Sequence, residues 1–137
     1  MCTFVPYYIY RNMAFDSDRD SGNLSSTIRL SLQHISKADI NMLPQQQQVL
    51  SFVLSDRDTV ENLPTGFGKS LVFELTPLCF DLRRRQLLWS SRVVIVSPLI
   101  SLMESQVKDM QRRGLKAVRL SAEMELSQTV TDAHIYF

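Results

Sequence analysis

The residues best suited to chemistry in this chain lie at positions 63–70, Leu-Pro-Thr-Gly-Phe-Gly-Lys-Ser. Two glycines let the backbone turn tightly, so that successive N–H groups point at one centre and bind an anion there. The helix predicted to begin at this point adds the partial positive charge and the unpaired donors of its N-terminus. The spacing therefore predicts a phosphate-binding loop, in which Lys69 reaches the β- and γ-phosphates of a nucleotide and the Ser70 hydroxyl binds Mg²⁺.

This loop departs from the strict pattern G-x-x-x-x-G-K-[ST], because Leu63 occupies the position of the first glycine. A glycine-rich turn that carries a surface lysine is the alternative explanation of a Gly-Lys-Ser triplet. The apolar segments on both sides favour the phosphate loop, since residues 59–63 are predicted to enter it as a strand and a helix follows Ser70. Within that strand, Glu61 and Asn62 are poorly suited to a buried central position.

Composition places the chain among ordinary globular domains, with 137 residues, 45% hydrophobic residues, 21% charged residues and a formal net charge of +1. The near-neutral charge gives no global argument for binding to nucleic acid. Cys2 and Cys79 are too few for a disulfide framework, His34 and His134 are isolated, and a reducing, intracellular compartment fits these counts. The sequence contains no transmembrane run, and Pro6 interrupts the apolar start of the chain, which argues against a secretory signal.

The segments that must position the loop alternate between helix and strand. Apolar periodicity, turn residues and β-branched runs predict helices at 24–40, 45–55, 70 to Pro77 and 99–113, and strands at 59–63, 93–96 and 116–120. The remaining residues, 121–137, are predicted to form a loop and the start of a helix. Residues 1–23 are polar and turn-rich after an aromatic start, so we expect a poorly ordered N-terminal segment followed by one domain over residues 24–137.

Strands that alternate with helices imply an α/β fold, with a parallel sheet, right-handed crossovers and flanking helices. A phosphate loop after the first strand places the ligand at the carboxyl ends of the strands. The order of elements therefore predicts a P-loop nucleoside triphosphatase core, or half of one. Three parallel strands leave an unpaired edge after residues 116–120, and such an edge invites association between copies of the chain.

Three blocks of this sequence resemble the RecQ-type DNA helicases of superfamily 2. Pro44-Gln45-Gln46 resembles the family's adenine-reading motif, and residues 63–70 contain Pro-Thr-Gly-x-Gly-Lys-Ser, the superfamily 2 form of motif I. The run Val-Ser-Pro-Leu-Ile-Ser-Leu-Met at 96–103, followed by Gln-Val at 106–107, resembles motif Ia. The resemblance covers roughly residues 40–122 and implies an incomplete part of the first RecA-like lobe.

Roles for individual residues follow from the resemblance. It implies that Gln46 hydrogen-bonds adenine, that Lys69 takes part in catalysis of phosphoryl transfer, and that Ser70 binds Mg²⁺. The residues expected to bind ATP are Gln46, Pro64, Thr65, Gly66, Phe67, Gly68, Lys69 and Ser70. Those expected to border the path of single-stranded DNA are Ser97, Pro98, Leu99 and Ser101.

The sequence also departs from the family's pattern. Met42 and Leu43 stand where the family has an aromatic residue and an arginine, which weakens the expected contact to adenine. Glu74 and Thr76 replace a glutamine and a proline. The Asp-Glu-x-His motif, which in the family completes the Mg²⁺ site, does not occur in these 137 residues, and neither does a second RecA-like lobe.

Taken together, the resemblance implies an ATP-binding portion of a 3′–5′ DNA helicase that uses ATP and Mg²⁺ and acts on single-stranded or unwinding DNA. It also implies a nuclear protein of DNA repair or recombination, without a membrane partner. The chain alone is expected to bind nucleotide weakly and not to unwind DNA. The alternatives are another P-loop ATPase or kinase, which residues 96–107 argue against, and a non-catalytic nucleotide-binding remnant or interaction module.

Overall fold

The elements of the chain are known from a computed structural model. It describes residues 9–10, 24–35, 39–55, 57–64, 66–122 and 132–137. The elements in chain order are β1 (Ile9–Tyr10), α1 (Leu24–His34), α2 (Pro44–Leu54), α3 (Ser70–Arg84), β2 (Val93–Ile95), α4 (Ile100–Arg112), β3 (Ala117–Val118) and β4 (Ile135–Tyr136). The chain divides into two compact units. The first holds the described residues from 24 to 91, and the second holds β1 and the described residues from 92 to 137.

Helix α3 forms the core of the first unit. Every residue from Leu71 to Asp81 is buried, and both α1 and α2 contact this helix. The buried Ser31 Oγ of α1 lies 3.2 Å from the Cys79 Sγ of α3, within hydrogen-bond distance. Burial raises the pKa of the Cys79 thiol to about 11, so this thiol stays protonated and serves packing rather than reactivity.

The prediction that α3 ends at Pro77 is wrong. The helix continues to Arg84, although a proline removes one helical N–H and costs about 3 kcal/mol in a helix interior. Burial on all sides of the helix compensates for this cost, because fully burying a large apolar side chain stabilises by roughly 1.5–3 kcal/mol. The helix stops instead where Arg85 adopts a left-handed φ of 52° and the Gln86 N–H donates to the Asp81 carbonyl at 2.9 Å.

The other helices match their predictions with small differences. Helix α2 begins at Pro44, as expected for a proline in a first helical turn, and α4 ends before Gly114, which has a left-handed φ of 80°. Helix α1 ends at His34, so the predicted extension to residue 40 is wrong for Asp39 and Ile40. Residues 36–38 lie outside the described part of the chain.

The predicted strand at residues 59–63 is wrong. Residues 57–64 have no regular secondary structure and lead directly to the loop. The charged Glu61 and the amide of Asn62 explain this difference, because a strand buried on both faces would remove these polar side chains from water.

The sheet of the second unit has the order β1-β2-β4-β3. Strand β4 is parallel to both β2 and β3, which confirms the α/β class and the parallel pairing, whereas β1 pairs antiparallel with β2. The strand β4 falls in a segment predicted as a loop and a helix start, so this prediction is wrong for Ile135 and Tyr136. Residues 123–131, which belong to the same predicted segment, lie outside the described residues.

Strand β3 lies at an edge of the described sheet. It is shorter than predicted and spans Ala117–Val118. Strand β2 is also shorter than predicted, because it stops at Ile95 and Val96, its predicted last residue, is exposed. Association through the β3 edge stays a prediction.

In the N-terminal segment, Ile9 and Tyr10 form β1, and the other residues up to 23 lie outside the described ranges. No helix among the described residues is long and apolar enough to cross a membrane.

Candidate phosphate-binding site

The loop that precedes α3 has the conformation that its glycines predict. Gly66 has φ of 90° and Gly68 has φ of 65°, a left-handed region that glycine adopts without steric cost. The Leu71 N–H donates to the Gly68 carbonyl at 3.0 Å, and the Val72 N–H donates to the Lys69 carbonyl at 3.2 Å. These bonds begin the first turn of α3 directly after the loop, so the unpaired donors of the helix N-terminus lie beside it.

Lys69 folds back over its own loop. Its Nζ donates to the carbonyl of Leu63 at 2.7 Å and to that of Pro64 at 3.1 Å. These neutral acceptors hold the ammonium group within the loop. Phosphate oxygens carry charge and are stronger acceptors, so a bound phosphate would compete well for the same protons. Ser70 follows Lys69 in the chain, is the first residue of α3 and is half-buried.

Hydrogen bonds of the Gln46 side chain connect the phosphate loop to the start of α2. This side chain is 4% exposed, and its Nε2 donates to the carbonyl of Phe67 at 2.7 Å and to that of Gly68 at 3.0 Å. Its Oε1 accepts from the Leu43 N–H at 2.8 Å and so caps the start of α2. A Cβ atom at position 68 would lie 3.0 Å from Nε2, so the close approach of Gln46 requires a glycine there. Sequence spacing identified Gln46, but it did not predict these contacts.

Glu61 belongs to the charge environment of the loop. Its Oε1 is buried and has no hydrogen-bond partner among the described residues. Burial raises the pKa of this carboxyl, and the positive charge of Lys69 opposes part of that rise. From the sequence alone, Glu61 is predicted only to be poorly suited to a buried strand. The sequence signal that could have placed Glu61 near Lys69 is its position, two residues before the start of the loop.

A cavity of about 430 Å³ opens between the loop and the start of α2. Five of the residues predicted to bind ATP line it: Gln46, Gly66, Phe67, Gly68 and Ser70. Four further lining residues were not predicted to bind a ligand: Ile40, Asn41, Leu43 and Leu71. The volume is within the range of small-molecule sites, and the walls combine apolar side chains with a few polar groups.

The fit of Mg²⁺ to this site depends on the Ser70 hydroxyl. The described residues gather no group of three His, Cys, Asp or Glu side chains that could hold a metal. Mg²⁺ is commonly held by only one or two protein ligands together with nucleotide phosphates and water. A single hydroxyl at the start of α3 is therefore a suitable donor when a nucleotide supplies the remaining oxygens. Thr65, another predicted ligand of the nucleotide, lies outside the described residues.

The predicted DNA-contacting block lies in the second unit, at the turn between β2 and α4. Ser97 is buried and its Oγ lies 3.5 Å from the Leu99 N–H. Pro98, Leu99 and Ser101 are exposed, and the backbone here leads into the N-terminus of α4. The block therefore presents a hydroxyl and the unpaired N–H groups of a helix start to solvent, which are groups suited to contacting phosphates.

The residues assembled above fall within one known sequence family. The pattern of the DEAD/DEAH box helicases matches residues 43–135, which include Gln46, the phosphate loop and the block that begins at Ser97. The chain belongs to this helicase family. The match removes the general alternative of an unrelated P-loop ATPase or kinase.

Relatives within this helicase family confirm the resemblance to RecQ. A probable ATP-dependent DNA helicase RecS from Bacillus subtilis is 44% identical over 71 residues, 52% of this chain and 12% of the relative. An ATP-dependent DNA helicase RecQ from Haemophilus influenzae is 35% identical over 83 residues, 61% of this chain and 12% of the relative. An ATP-dependent helicase wrn-1 from Caenorhabditis elegans is 36% identical over 93 residues, 66% of this chain and 8% of the relative. The chain thus spans a small part of the length of these relatives.

Proposed function

We propose that this chain is the ATP-binding portion of a 3′–5′ DNA helicase that couples ATP hydrolysis to DNA unwinding. The observation that carries the proposal is the phosphate loop itself. Gly66 and Gly68 adopt left-handed conformations immediately before Lys69 and Ser70, at the N-terminus of α3. This arrangement supports the binding of a triphosphate, and membership of the helicase family supports ATP as its source.

In the proposed complex, the ammonium group of Lys69 exchanges the carbonyls of Leu63 and Pro64 for the β- and γ-phosphates. Ser70 contributes a ligand to Mg²⁺, which neutralises phosphate charge when it is bound. The backbone of Pro64 and the two glycines is proposed to surround the phosphates, and Thr65 is proposed to bind the same nucleotide. This exchange replaces neutral acceptors by charged ones, so it favours the bound state.

Gln46 is proposed to contact adenine. Both Nε2 protons are donated to loop carbonyls, so this contact requires either the remaining lone pair of Oε1 or an exchange of one loop bond. Adenine binding and the conformation of the loop are then linked through one amide.

The DNA contacts are assigned to Ser97, Pro98, Leu99 and Ser101. The exposure of Pro98, Leu99 and Ser101 at the start of α4 supports contact with the phosphates of a single strand, without reading of base sequence. We also propose nuclear residence and a role in DNA repair or recombination, because DNA is the proposed substrate. Bacterial relatives do not add support for the nuclear assignment.

The proposed domain comprises residues 24–137, preceded by the segment 1–23.

A nucleotide-binding module without hydrolysis is the second candidate function. It is favoured by the contacts described at the phosphate loop, which are all contacts suited to binding a nucleotide. Both candidates require ATP to bind at the same loop, so one binding experiment tests their common basis.

That experiment measures the affinity of the 137-residue chain for MgATP by titration calorimetry, with wild type and Lys69→Ala compared. We expect Lys69→Ala to weaken binding at least tenfold, because it removes the cation that faces the phosphates. The control is Lys108→Ala, which removes an exposed lysine of α4 and should leave the affinity unchanged. Equal affinity of wild type and Lys69→Ala would remove this loop from the nucleotide site.

A further inference from the structure

The cavity beside the phosphate loop has an apolar wall made by two separate segments. Phe67, at the tip of the loop, is 46% exposed, and Ile40 and Leu43, before α2, are 40% and 39% exposed. Single exposed apolar residues are common on protein surfaces. Here, however, all three line the same cavity, so their exposed surfaces converge on one space that a ligand can fill.

Polar groups at the same cavity are few and specific. The two Nε2 protons of Gln46 are donated to the carbonyls of Phe67 and Gly68, which leaves one lone pair of Oε1 for a ligand. The exposed side chain of Asn41 offers a second amide with both donor and acceptor atoms. An apolar wall with one or two amides at its margin suits a flat heteroaromatic ring whose edges carry donors and acceptors.

The Phe67 ring is the only aromatic side chain among the described residues that line this cavity. Met42 is buried, and Leu43 presents branched aliphatic groups instead of a ring face. A nucleobase gains more from stacking on an aromatic face than from an aliphatic wall. Position 67 also lies between the two glycines of the phosphate loop, so this ring and the groups proposed to hold the phosphates border the same cavity.

We propose that Phe67 is the residue on which the nucleobase stacks, with Ile40 and Leu43 completing the apolar wall. This inference rests on the proposed binding of a nucleoside triphosphate and adds the determinant of its base. The phosphate loop then contributes twice to affinity. Its glycines, Lys69 and Ser70 hold the phosphates, and its one aromatic side chain holds the base.

The test separates these two contributions with two ligands. The affinity of the 137-residue chain is measured for MgATP and for inorganic tripolyphosphate, which has the phosphates but no base. We expect Phe67→Ala to weaken ATP binding roughly tenfold, the order found when a base-stacking aromatic residue is truncated. Binding of tripolyphosphate should stay unchanged. Phe67→Tyr should keep ATP affinity, because it keeps the ring, and Phe67→Leu should lose most of it.

The matched control is Leu87→Ala, which removes an apolar side chain that is 87% exposed and does not line the cavity. It should change neither affinity, and thermal unfolding verifies that every variant is folded. The inference is overturned if Phe67→Ala binds ATP as tightly as wild type. It is also overturned if the affinity for tripolyphosphate falls by the same factor as the affinity for ATP. Absence of any Lys69-dependent binding of either ligand is a different result, which overturns the proposed function and this inference with it.

Discussion

Gln46 shows how one side chain connects a helix start to the phosphate loop. Its three hydrogen bonds join the Leu43 N–H to the carbonyls of Phe67 and Gly68. We expect Gln46→Ala to lower the free energy of unfolding by about 1–3 kcal/mol, because it leaves these backbone groups without their partner. The measurement is urea unfolding followed by circular dichroism.

The control for Gln46→Ala is Gln48→Ala, a change of the same residue type at an exposed position of the same helix. It should alter stability by no more than about 0.5 kcal/mol. If the two variants were equally stable, the amide of Gln46 would not hold the loop.

The residues of the site were predictable to the extent that their roles are local in sequence. Gly66, Gly68, Lys69 and Ser70 follow from spacing, because a tight turn before a helix N-terminus is a local property. The bonds of Gln46 to loop carbonyls join residues more than 20 positions apart, so no local pattern predicts them.

At the scale of elements, Asp81 fixes the end of α3 and the turn that follows. Its carboxylate is fully buried and accepts from the N–H groups of Ser90 and Ser91, both at 3.0 Å, and from their hydroxyls at 2.9 and 2.6 Å. We expect Asp81→Asn to destabilise the chain by about 2–4 kcal/mol, because an amide has one acceptor oxygen in place of two and loses the charge. Thermal unfolding measures the effect.

Asp109→Asn provides the comparison for Asp81→Asn. Asp109 is exposed on α4 and pairs with Arg113 at 2.7 Å. A surface ion pair of this kind contributes at most about 1 kcal/mol, so the change should be small. Equal destabilisation by the two substitutions would show that the buried carboxylate does not anchor the turn.

Elements were predictable where the sequence marks both ends or carries a clear run of residues. Pro44 marks the start of α2, Gly114 follows the end of α4, and the β-branched run that begins at Val93 marks β2. Helix α3 passes through Pro77 because burial on all sides outweighs the local penalty. Strand β4 was not predicted, because it contains only two residues and an alternation of side chains cannot be recognised over so short a segment. Its pairing with β2 and β3 joins residues that are distant in sequence.

At the scale of the whole molecule, these 137 residues contain the phosphate loop but not every motif of a helicase. The family match covers residues 43–135, yet Asp-Glu-x-His does not occur in the sequence. Phosphoryl transfer needs a metal clamp and a charge-stabilising arginine, and the arginine alone contributes roughly 10³–10⁵ in rate. Binding of ATP and its hydrolysis are therefore expected to separate in this chain.

We expect the purified 137-residue chain to bind MgATP without hydrolysing it in response to single-stranded DNA. Phosphate release is measured with and without DNA for wild type and for Lys69→Ala, since a contaminating ATPase would give the same rate in both samples. The phosphate loop orders the substrate, but the Asp-Glu-x-His motif that in the family completes the metal site does not occur in these 137 residues. DNA-stimulated release that disappears in Lys69→Ala would contradict this prediction. It would mean that other acidic side chains of this chain complete the metal site.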